Sequence, residues 1–139
     1  MACSAILKII SPPGNSVPRT VTPGLNKFNT MQLASFPFQT TDWSSIEAEE
    51  HTGTTGKAYW KIFQMNDIRI RQVEYTAGYQ ADHWCSKGHI IFCIEGEMET
   101  VLQDGRRFVL KQGMTYQVGD NNEAHCTNSK TGCKLFIVD

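Results

Sequence analysis

Turn residues punctuate the chain from Lys57 onward at short intervals, and this spacing constrains the fold more than any other feature. Asn66-Asp67, Ala77-Gly78, Lys87-Gly88, Gly96, Asp104-Gly105, Gln112-Gly113 and Thr131-Gly132 punctuate the β-rich segments 57–65, 68–75, 80–85, 89–95, 97–102, 106–110, 114–118, 124–128 and 133–138. A polar loop covers 119–123. Breaks this close together leave no room for a helical period, but they suit an antiparallel sandwich or barrel. Asp104-Gly105, between Thr100-Val101-Leu102 and Phe108-Val109-Leu110, predicts a hairpin closed by a type I′ turn. Earlier in the chain a short helical turn is expected over Asp42–Glu49, where Ser44 and Glu47 have capping-box spacing and Trp43 and Ile46 share a face. Gly53-Thr54-Thr55-Gly56 reads as a plain loop, since it lacks the Lys-Ser/Thr pair of a phosphate cradle.

The 139 residues are enough for one domain, and a formal net charge of -1 gives no electrostatic case for nucleic acid or an anionic membrane surface. No apolar run approaches the roughly 18 residues of a membrane span. Residues 1–30 differ from the rest: they hold Lys8, Arg19 and Lys27, no acid, and four of the five prolines. They read as an irregular N-terminal extension, with an organelle transit peptide as the alternative. Residues 31–139 then form the domain, with ten basic and fourteen acidic side chains. Five cysteines without a CxxC pair or a signal-peptide pattern argue for a reducing compartment, so a cytoplasmic protein is expected.

Chemistry concentrates in three of the four histidines. His83 and Cys85 are two apart in segment 80–85, which in a strand puts them on one face. His89 opens the next segment beyond the Lys87-Gly88 turn, and His125 would join from another strand. Imidazole nitrogen and thiolate sulfur both suit borderline transition metals. A buried, non-coordinating Cys85 is the alternative for that residue, and a nucleophilic Cys85 activated by His83 or His89 is a third.

These residues carry a family resemblance. Gly78-x4-His83-x-Cys85-x3-His89-x6-Gly96 resembles the first cupin motif, with Cys85 at the second histidine's place and His89 at the glutamate's. Gly113-x5-Gly119-x-Asn121-x3-His125-x2-Asn128 is similar to a loosened second motif whose histidine comes one residue late. Asp82-His83-Trp84-Cys85 followed by Gly88-His89 resembles single-domain cupins with an Asp-His-Trp-Cys (DHCW-type) motif.

The resemblance implies an all-β, RmlC-like jelly-roll β-barrel, commonly a homodimer, with a divalent metal near the barrel mouth. His83, Cys85, His89 and His125 would be the ligands, with Tyr116 and Asn128 orienting them or a substrate. The Cys/His set favours zinc or iron, with nickel, copper or manganese as alternatives. The expected function is binding or transforming a small organic molecule at that metal. The alternative is a non-catalytic or regulatory barrel in which the metal is structural or missing. The fold hosts dioxygenases, isomerases and binders alike, so the reaction type stays open.

Other features have plainer readings. Cys93 and Cys133 lie among apolar residues and read as packing, and Cys126 should face away from His125. Glu95, Glu97 and Glu99 read as one solvated outer face, and His51 as a solvated loop residue. Arg69 and Arg71 share one face and are expected outside the barrel, with Ile68, Ile70 and Val73 inside; the alternative is that they bind an anionic substrate inside it. Trp60, Tyr59, Phe63, Phe92, Tyr116 and Phe136 read as core or dimer packing.

Overall fold

The computed structural model describes residues 33–139, so the extension over 1–30 lies outside the described residues. Among the described residues nine strands follow in chain order: β1 (Glu49–Thr52), β2 (Lys57–Met65), β3 (Ile68–Tyr75), β4 (Tyr79–Gln80), β5 (His89–Leu102), β6 (Arg107–Lys111), β7 (Thr115–Val118), β8 (His125–Ser129) and β9 (Cys133–Val138). Every pairing is antiparallel. The sheet runs β1-β2-β3-β9-β5-β8-β4, with β6 and β7 also on β5. The all-β expectation holds, as a curled antiparallel sheet. Among the described residues, no helix is long and apolar enough to cross a membrane.

β5 joins the two walls. Its first half pairs with β7 and β9, and its second half pairs with β6 and β8. The register against β9 slips between Cys93 and Glu95, which leaves Ile94 as one extra residue. His89, Ile91 and Cys93 therefore face inward before the bulge, and Met98, Thr100 and Leu102 face inward after it. Glu95, Glu97 and Glu99 turn outward, as expected. Gly96 sits at φ 76°, and a Cβ there would stand 2.4 Å from the Gly132 carbonyl oxygen, so the kink requires glycine. The apolar centre is Val73, Ile91, Cys93, Met98, Leu110, Cys133, Leu135 and Ile137.

Several local expectations are corrected. The helical turn shrinks to a 3-10 turn over Trp43–Ser45, and Asp42 caps it: its carboxylate accepts from the Ser44 backbone N–H at 2.9 Å. Glu49–Thr52 pairs as a strand instead. His51 is not a solvated loop residue, because its ring lies 4.0 Å from that of Trp60. At the β5–β6 hairpin Gly105 has φ 90° but Asp104 has no positive φ, which excludes a type I′ turn. Gly105 N–H donates to the Leu102 carbonyl at 2.9 Å, the pattern of a tight turn followed by a glycine bulge.

The largest correction concerns β3. Arg71 is only 6% exposed and faces the interior. Ile68 and Ile70 lie on the opposite parity to Val73, so they cannot all face one side of a strand. The face that holds Val73 also holds Arg69 and Arg71. Their charge is met by Asp139, just beyond β9: Arg69 donates to both carboxylate oxygens at 2.9 Å, and Arg71 Nη2 donates to Oδ2 at 2.5 Å. The Arg71 guanidinium also lies 4.5 Å from the Trp60 ring centroid.

Candidate functional site

Three donors converge near the start of β5. Cys85 and His125 form an isolated antiparallel bridge, exchanging backbone bonds of 2.7 and 3.0 Å. Residues paired in this way present their side chains on one face, which brings the Cys85 thiol beside the His125 ring. His89 enters from β5, where β7 pairs it with Val118. The preceding loop is pinned: Gly88 N–H donates to Asp120 Oδ1 at 2.8 Å, and a Cβ on Gly88 would meet the Asp120 nitrogen at 2.6 Å. Both imidazoles are buried, and their Nε2 atoms stand 2.7 Å apart. One donor atom from each of Cys85, His89 and His125 lies within 4.8 Å of the others.

The surroundings fix the orientation of these rings. His125 Nδ1 donates to the Glu123 carbonyl at 2.9 Å, so its Nε2 lone pair faces the cluster. His89 Nδ1 is buried without a hydrogen bond and points toward Asp139, whose Oδ2 is 3.9 Å away. The neighbouring His125 ring pulls the Cys85 thiol below its usual range, and Cys85 in turn raises His125. Burial alone would raise the Asp139 carboxyl, but His89 and the two guanidiniums outweigh it and hold that group well below the carboxylate range. Tyr116 stands edge-on to both imidazoles, its ring centroid 6.1 Å from each, and burial pushes its hydroxyl up. Two imidazole nitrogens and a sulfur aimed at one point suit a borderline transition ion, so the residues present fit a metal.

Two of the expected site residues are not brought to this cluster. His83 points to solvent, with its side chain 70% exposed and its Nδ1 2.6 Å from Asp82 Oδ1. The regular strand ends at Gln80 and the chain bends at Asp82 and His83, so the alternation that paired His83 with Cys85 does not apply. Asn128 lies on the outward parity of β8, donating to Glu99 Oε2 at 3.0 Å. Cys126 also turns away from His125, as expected, with its Sγ 3.8 Å from the Ala81 carbonyl. Sequence reasoning missed Asp139 and misjudged Arg71. The Arg-x-Arg-x-Val parity of β3 was the available signal.

His125 also lines a cavity of about 280 Å³ bounded by β6, β7 and the second half of β5. Its walls include Thr100, Leu102, Phe108, Leu110, Met114 and Tyr116.

No protein-family model matches the sequence, and no curated protein does either. Solved structures do match. A predicted oxalate decarboxylase from Thermotoga maritima superposes with a TM-score of 0.62 at 15% identity, covering 72% of this chain and 96% of that one. An RmlC-like cupin from Shewanella frigidimarina gives 0.61 at 17%, covering 73% and 89%. Ectoine synthase from P. lautus gives 0.60 at 16%, covering 73% and 76%. At such identities the likeness speaks for architecture alone. Curled antiparallel sheet and neighbours agree, and the chain has the RmlC-like cupin fold.

Proposed function

We propose that this protein holds a divalent transition ion through Cys85, His89 and His125, and binds or transforms a small organic molecule beside it. One observation carries the reading: three donors within 4.8 Å, one of them an imidazole whose far nitrogen is already committed to the Glu123 carbonyl. The soft sulfur favours zinc or iron over manganese. When bound, such an ion supplies a Lewis acid able to polarise an oxygen. The protein's own residues do the rest. Glu123 fixes the His125 tautomer, Asp139 faces the rear of His89, and Tyr116 closes the inner wall against water. The string Asp82–Cys85 with Gly88-His89 supports a place in the Asp-His-Trp-Cys type subgroup, although only Cys85 and His89 of that string face inward. The outward stripe Ile90, Phe92 and Ile94, each over a third exposed, supports a homodimer.

A second reading has an observation of its own. His89 and His125 already meet at 2.7 Å, so one imidazole can donate to the other with no ion between them. A non-catalytic ligand-binding barrel would look like this.

Metal titration separates the two. Full-length protein without a tag, stripped with chelator and titrated with Co²⁺, should bind one ion and develop a thiolate-to-metal charge-transfer band. His89→Ala with His125→Ala should weaken binding more than about 100-fold, whereas His83→Ala should leave it unchanged. Stoichiometric binding by the double variant, or dependence on His83, refutes the ligand set.

A further inference from the structure

We propose that the 280 Å³ cavity next to His125 takes an uncharged, mostly apolar molecule of roughly ten non-hydrogen atoms carrying one carbonyl or hydroxyl oxygen. This deepens the reading of the interior as a small-molecule site and rests on it. The walls set the class. Leu102, Phe108, Leu110, Met114 and Val118 give an apolar lining, and no lysine or arginine reaches it. Its one carboxylate, Glu123, is already engaged by Arg106. A phosphate ester would therefore lose its hydration without a lysine or arginine to meet it, and a polyol would set most of its hydroxyls against apolar side chains. Phe108 and Met114 are 50% and 46% exposed, so apolar surface continues outward from the lining.

The oxygen has a waiting partner. Thr100 is 4% exposed, lines the cavity, and its Oγ1 makes no hydrogen bond of good geometry although the Tyr116 hydroxyl lies near it. An unpaired hydroxyl in an apolar wall is a standing cost that valine would avoid. A ligand oxygen seated between Thr100, Tyr116 and His125 would remove that cost, and the rest of the molecule would lie against the apolar side chains.

Acetophenone and ethylbenzene test this, because they share shape and differ in one carbonyl. Full-length, chelator-treated protein is titrated with each and followed by amide NMR shifts, so the outcome is independent of the metal result. Acetophenone should move the Thr100, Leu110 and Tyr116 amides and bind at least about fivefold more tightly than ethylbenzene. Thr100→Val should bring that ratio near one while raising the melting temperature, and Thr100→Ser should keep the preference. Glucose 6-phosphate should leave these amides unmoved. The proposal is overturned if neither aromatic shifts the cavity amides, if the ratio is the same in Thr100→Val, or if the sugar phosphate competes.

Discussion

The interior has two ends, and its cysteines mark the difference. In the apolar centre burial pushes the Cys93 thiol up and the Cys133 thiol up to about 12. At the histidine end the neighbouring His125 ring pulls Cys85 the other way. Burial alone does not decide what a thiol does. The groups beside it do, and here one backbone bridge supplies an imidazole to Cys85 while the centre offers Cys93 only carbonyls of its own strand, 3.4 and 3.5 Å away. The centre is built to be inert, and the histidine end to hold charge.

The strongest way to break this contrast is to remove the charge that supports the polar end. Asp139→Asn leaves Arg71 buried beside an amide, and should cost about 3 kcal/mol in denaturant unfolding. The sign with pH follows from the depressed carboxyl. In the native protein this contribution is present above the ordinary carboxylate range and is lost as pH falls below about 4. The variant should lack that acid limb, and an unchanged midpoint would mean the Arg69–Arg71–Asp139 cluster adds little.

Thiol chemistry sharpens the contrast directly. With iodoacetamide at neutral pH, Cys85 should label about 100-fold faster than Cys93 or Cys133, read by peptide mass mapping. Comparable rates for all three would erase the distinction. A smaller effect lies at high pH. A thiol whose folded pKa is raised stabilises the protein fully below its unfolded value, near 8.5, and progressively less as pH climbs toward 12. Cys133→Ala should therefore flatten the decline of stability between about pH 9 and 11, measured by urea unfolding at each pH.

The sequence made the strands legible because turn chemistry is local. Segments 57–65, 68–75 and 133–138 match β2, β3 and β9 residue for residue. The site was legible in part, since Cys85, His89 and His125 fall at motif positions. His83 was misread because alternation was applied where no strand persists past Gln80. Arg71 was misread because its neutraliser, Asp139, is 68 residues away, and that pairing exists only once β9 lies against β3. Whether a charge is inside or outside depends on such distant partners, which local pattern does not carry.

The extra residue at Ile94 has a consequence for how this strand can change. It works as a phase shifter: odd-numbered side chains serve one wall and even-numbered ones the other, within a single run of backbone. Deleting a residue on either side of it, with the bulge kept, would throw the two halves out of step, and either the imidazole at one end or the threonine at the other would be rotated out to water. Editing by length is thus far more dangerous here than editing by chemistry.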